Sequence, residues 1–168
     1  MKTLAIFAVF CGLQLAAQDM KSCPMHQQAK SDHQSDVEKH GDMAMGFPHD
    51  QTTHHFRLLP DGGAIEVTVN DAKDAENLGM IRMHLKHIAS MFSNGDFSIP
   101  MFVRSENPPG TTEMKDRQAD IAYTFEELPT GGRVRITTTN HDALNAVHDF
   151  LTFQIADHQT GDGTALIR

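Results

Sequence analysis

The chain has 168 residues, the size of a single domain, with 14 Lys and Arg against 22 Asp and Glu and a formal net charge of −8. That balance argues against nucleic acid as a partner, since phosphate binding needs clustered positive charge; an aromatic fraction of 7%, with no Trp and one Tyr, leaves little to stack on bases. The excess lies elsewhere, in 11 His and 10 Met beside 2 Cys: imidazole and thioether are metal donors, and thioether suits soft ions such as Cu(I).

Lys2 precedes an almost wholly apolar run over residues 4–15, LAIFAVFCGLQL. The run is shorter than the ~20 residues that cross a bilayer. With Ala16-Ala17 before Gln18 it has the order of a secretory signal peptide, residues 1–17. The expectation is a periplasmic or secreted protein with no stable membrane anchor after cleavage. Cys11 departs with the signal, which leaves Cys23 as the single thiol and excludes an internal disulfide.

Residues 18–50 read as a flexible arm, because their apolar residues are mostly Met and Ala and build no core. Cys23, Met25 and His26 fall within four residues, and Met43 and Met45 follow near the end of the arm. Thiolate, thioether and imidazole together favour Cu(I), with zinc the second candidate. His26, His33 and His40 recur every seven residues, a spacing that would place them on one face of a helix.

An internal repeat organises the folded part, expected over 51–168. Leu59-Pro60-Asp61-Gly62-Gly63 is followed by AIEVTVN and a helical pattern ending Asn94-Gly95-Asp96. Leu128-Pro129-Thr130-Gly131-Gly132 is followed by RVRITTTN and a helical pattern ending Thr160-Gly161-Asp162. An alternating strand precedes each turn. Period two puts His54, Phe56 and Leu58 on one face, then Ile65, Val67 and Val69, then Ile121, Tyr123 and Phe125, then Val134 and Ile136. His55 should face solvent. The glycine pairs are expected to supply positive φ at the turns, Asn140 or His141 to open the second helix, and glycines to close both helices. The architecture is α+β: a duplicated β-β-α unit, with halves at about 53–96 and 119–162, giving a four-stranded antiparallel sheet with two helices on one face. Residues 97–118 read as a long crossover loop.

On a helical wheel at about 100° per residue, Ile81, Leu85, Ile88 and Phe92 form a core stripe about 60° wide. Met80, His84, His87 and Met91 form a second band centred about 90° away. Aligning the two helix ends sets Phe150 against His84 and Phe153 against His87, so both histidines are expected to be at least half buried. A buried imidazole needs a hydrogen bond or a metal. His54, His84 and His87, with Met91 or Met101, are the candidate ligands of a mixed nitrogen and sulfur pocket suited to copper. His148 falls on the solvent side of its helix and His158 near a fraying end. There is no Gly-x-Ser-x-Gly elbow, phosphate loop or HExxH helix.

TTHHFRLLPDGGAIEVTVND, IRMHLKHIASMFSNGDFSIPMF and HDFLTFQIADH resemble a family of small exported bacterial proteins of unknown function, over most of residues 46–162. Some members carry the label aspartate carbamoyltransferase, but this chain has no Ser-Thr-Arg-Thr motif to bind carbamoyl phosphate. Cys23-Pro24-Met25-His26 resembles the short metal-binding segment at the N-termini of some copper-transporting ATPases. The resemblance implies export and a duplicated fold.

The expected function is metal binding, with copper sequestered or passed on through Cys23, Met25, His26, Met43 and Met45 in the arm and His54, His84, His87 and Met91 in the domain. Ligand exchange needs no catalytic residue. The alternatives are a periplasmic enzyme or haem-type domain using the same histidines, and a structural or interaction module. A homodimer stays open.

Overall fold

The computed structural model describes residues 41–43, 45–104 and 107–167. The signal segment expected at residues 1–17 and the expected donors Cys23, Met25 and His26 lie outside the described residues. In chain order the elements are β1 (Thr52–Leu59), β2 (Gly62–Val69), α1 (Ala75–Ser93), α2 (Ser98–Arg104), α3 (Thr111–Asp116), β3 (Ile121–Leu128), β4 (Gly131–Thr138) and α4 (His141–His158). The strands form one antiparallel sheet in the order β1-β2-β4-β3. This is the duplicated ββα fold expected from the repeat.

The register shows how the halves are related. Ile65 of β2 pairs with Val134 of β4, its own counterpart in the repeat, so a pseudo-two-fold axis passes near that pair. The helices cross over: α1 packs chiefly on β3 and β4, and α4 chiefly on β1 and β2. Each half therefore covers the other's strands, and neither buries its own apolar face alone. Ile81, Leu85, Ile88 and Phe92 of α1 and Val147, Phe150, Leu151 and Ile155 of α4 are all buried over the strand residues of period two.

The glycine pairs do a different job from the one expected. The connecting residues are Pro60-Asp61 and Pro129-Thr130, while the glycines start β2 and β4. Of the four, only Gly62 has positive φ. Their role is close approach. A Cβ on Gly131 would lie 1.9 Å from the Val67 carbonyl oxygen, and one on Gly62 2.1 Å from that of Ile136. The second glycine of each pair lies under a helix: a Cβ on Gly63 would meet Leu151 Cδ1 at 2.1 Å, and one on Gly132 would meet Leu85 Cδ1 at 3.1 Å. The crossed helices rest on the gaps these side chains leave.

A second pair of contacts repeats the same logic. Arg82 of α1 donates from Nε and Nη2 to the carbonyls of Gly131 and Leu128. His148, at the corresponding place on α4, sits with Nε2 2.9 Å from the Leu59 carbonyl and 3.0 Å from that of Gly62. His148 is thus half-buried and clasps the turn of the opposite half, contrary to the solvent-facing position the wheel gives it. The wheel locates a residue around its own helix but not the hairpin that folds over it.

The second helix starts as expected, with Asn140 accepting from the amides of Asp142 and Ala143, and Asp74 caps α1 by accepting from the Asn77 amide. Gly95, at φ 69°, ends α1. At the end of α4, however, Gln159 takes the left-handed conformation, at φ 52°. Residues 97–118 are not an open loop: α2 and α3 occupy much of the crossover, and Phe97 and Met114 enter the core. The core also begins before residue 51. Phe47, in the stretch read as arm, is 2% exposed, because its ring fits against those of His54 and His84.

The outer sheet face is polar. Arg57 of β1, Glu66 of β2, Arg133 of β4 and Glu126 of β3 form an ion-pair ladder across all four strands. His55 joins this side but is not simply solvated. Its Nδ1 lies 2.9 Å from Asp162, whose side chain is 5% exposed and also accepts from the Phe56 amide, Arg57 and Thr160. The Ile167 amide donates to the Leu58 carbonyl. The segment after α4 therefore covers the edge of β1, where unpaired backbone groups would otherwise be exposed.

Candidate functional site

Between the sheet and the helices lies a cavity of about 90 Å³. Phe56, Ile65 and Val67 wall it from the strands, Leu85, Ile88 and Phe92 from α1, and Phe150 from α4. Met45, Ile99 and Pro100 close one side. Among these apolar groups are three imidazoles, His54, His84 and His158, and the amide of Gln154.

Each histidine arrives by a different route. His54 alternates with Phe56 and Leu58, so the pleat of β1 points it inward. His84 stands on α1 beside the core stripe. His158 is the last residue of α4 and stacks parallel to His54, with ring centroids 5.8 Å apart and 2° between planes. His158 also stacks on Phe56 at 5.3 Å. Phe47 lies against His54 at 6.5 Å and meets His84 edge-on at 5.7 Å.

The electrostatics follow from this packing. Burial pushes His54 down from 6.5 to about 4, with repulsion from His84, His49 and His55 adding to it. Burial likewise pushes His84 down to about 4, with a contribution from His87. Both rings are neutral at neutral pH, and each keeps one nitrogen lone pair. Neither ring has a hydrogen-bond partner among the described residues. Two neutral imidazoles facing an apolar cavity can accept a proton or a soft cation.

The structure brings together some of the expected donors and separates others. His54, His84 and Met45 reach the cavity. Met43, expected to act with Met45, is 74% exposed. His87 is exposed and off the cavity, not half buried as the repeat suggested. It lies about 60° farther than His84 from the core stripe, and its counterpart Phe153 is itself only half-buried. Met91 packs against the core but does not line the cavity, and Met101 is 42% exposed. Cys23, Met25 and His26 are outside the described residues. His158, read as lying at a fraying end, is a member of the cavity. The repeat carried a signal for it, since the same helix alignment sets His158 against the buried Phe92.

Among the described residues no group of three or more His, Cys, Asp or Glu side chains is arranged to hold a metal ion. The candidate donors in the fold are therefore two imidazoles and a thioether, with the third imidazole stacked on the first. Among the same residues no helix is long and apolar enough to cross a membrane. No protein-family model, curated protein or solved structure matches the chain.

Proposed function

We propose that the chain is an exported copper-binding protein that sequesters the ion or passes it on. The observation that carries this reading is the pair of half-buried imidazoles, His54 and His84, without hydrogen-bond partners among the described residues and facing one cavity with the Met45 thioether. Nitrogen and thioether donors suit Cu(I), which accepts few ligands; zinc takes four and prefers thiolate, imidazole or carboxylate. The cavity of about 90 Å³ has room for an ion and a few waters. Cys23, Met25, His26 and Met43 would capture the ion outside the cavity, and the net charge of −8 favours the approach of cations.

The test is competition for Cu(I) between the mature protein and a chromogenic chelator. The wild type should retain the ion, and His54→Gln with His84→Gln should lose the more tightly held fraction. If the wild type binds Cu(I) no more tightly than a peptide with the scrambled sequence of residues 18–50, the reading fails.

A further inference from the structure

The cavity donors Met45, His54 and His84 are half-buried, and donors of graded exposure lead up to them. Along one edge of α1 the donors form a graded series. Met83 is 69% exposed, one of the most exposed large apolar side chains described. His87 is exposed, Met80 and Met91 are half-buried, and His84 lines the cavity. At about 100° per residue the order around the helix is Met83, His87, Met80, Met91, His84, moving steadily toward the core stripe. Five pairs of these donors are three or four positions apart: Met83 and His87, Met83 and Met80, His87 and Met91, His87 and His84, Met80 and His84. Side chains at those spacings are neighbours on a helix surface, with Cβ atoms ~5–6 Å apart. His87 is also close enough to His84 to help lower its pKa.

The geometry points to a receiving site for a soft monovalent cation at Met83 and His87, from which Met80, Met91 and His84 lead it inward by ligand exchange. The inference rests on the copper-binding reading of the cavity. Each step forms one coordinate bond as another breaks, and no electron is transferred. A bare helix edge with an exposed methionine would gain nothing from Met83 in packing. As a donor, Met83 has a reason to be where water, or a partner carrying the ion, can reach it.

The experiment is stopped-flow transfer of Cu(I) from a coloured chelator complex to the full chain. Cys23→Ser, Met25→Leu and His26→Gln form the background, so that the arm does not compete. Met83→Leu with His87→Gln should slow transfer by about tenfold or more. Both positions are exposed, where substitutions change stability by only ~0.5 kcal/mol or less. His141→Gln, an exposed histidine at the start of α4, should transfer at the parent rate. If the Met83/His87 variant also loads at the parent rate while His54→Gln/His84→Gln lowers the final occupancy, the receiving site is refuted and the cavity reading stands. If the parent takes no Cu(I) from the chelator, the cavity reading falls and this inference with it.

Discussion

Replacing His84 by Phe separates the cost of the cavity from its use. The second half already holds Phe150 at this place, buried and in edge contact with Phe92. The substitution replaces a half-buried imidazole by an apolar ring and fills part of the cavity of about 90 Å³. His84→Phe should therefore be more stable than wild type at pH 7, by a few degrees in Tm for each kcal/mol, and should fail to hold copper. The pH profile makes the test sharper. His54 and His84 lie near 4 in the fold against 6.5 ordinarily, so between those values the unfolded chain binds more protons. The stability tied to the neutral rings is complete above about pH 6.5 and is lost as pH falls through about 4. One such shift is worth at most about 3 kcal/mol, and partial exposure of the rings lowers that ceiling. Wild type carries two of these groups and the variant one. Urea unfolding followed by circular dichroism at pH 7, 6, 5 and 4 should show the variant losing less than half as much stability as wild type, because His84 itself helps to lower His54. Parallel curves, or a variant less stable than wild type at pH 7, would refute the reasoning.

Met45→Leu conserves volume and should change stability by less than ~1.5 kcal/mol, yet lower Cu(I) retention at least about tenfold in chelator competition. Arg82→Ala and His148→Ala each leave two turn carbonyls without their clasp, and each should cost about 1–3 kcal/mol in chemical denaturation; wild-type stability in both would dismiss the paired clasp. Gly131→Ala drives a Cβ into the Val67 carbonyl, backbone that cannot yield without shifting the β2–β4 ladder. It should cost more than about 3 kcal/mol or prevent soluble expression, whereas Gly163→Ala, with open space around it, should be close to neutral.

Much of the domain was legible because local chemistry repeats. Period-two alternation marked four strands, the Leu-Pro-x-Gly-Gly turns marked two hairpins, and the duplicated helix ends tied the halves together. The core stripe of α1 follows from spacing alone, since Ile81, Leu85, Ile88 and Phe92 can share one side of a helix only if that side faces the core. The candidate site was read in part. His54 was assigned inward from strand alternation and His84 from the wheel. His87 shared the band of His84, but a band about 60° wide spans the boundary between cavity and solvent, and only packing decides where that boundary falls. His158 is not legible locally, because a helix terminus usually frays. Here Gln159 turns the chain, Asp162 fastens it to β1, and the terminal residue is held against His54 and Phe56.

By itself the amino-acid sequence determined the four strands and two long helices, their duplication, the inward faces of the strands and the stripe that α1 buries, because these depend on contacts between residues a few positions apart. Tertiary structure alone decided that each helix crosses to the opposite half, that the glycine pairs serve close approach, that Phe47 packs on His54 and His84, and that His158 joins their cavity. Those outcomes depend on residues far apart in the chain meeting across the pseudo-two-fold axis or along the β1 edge, and no local period encodes which distant side chain will arrive there.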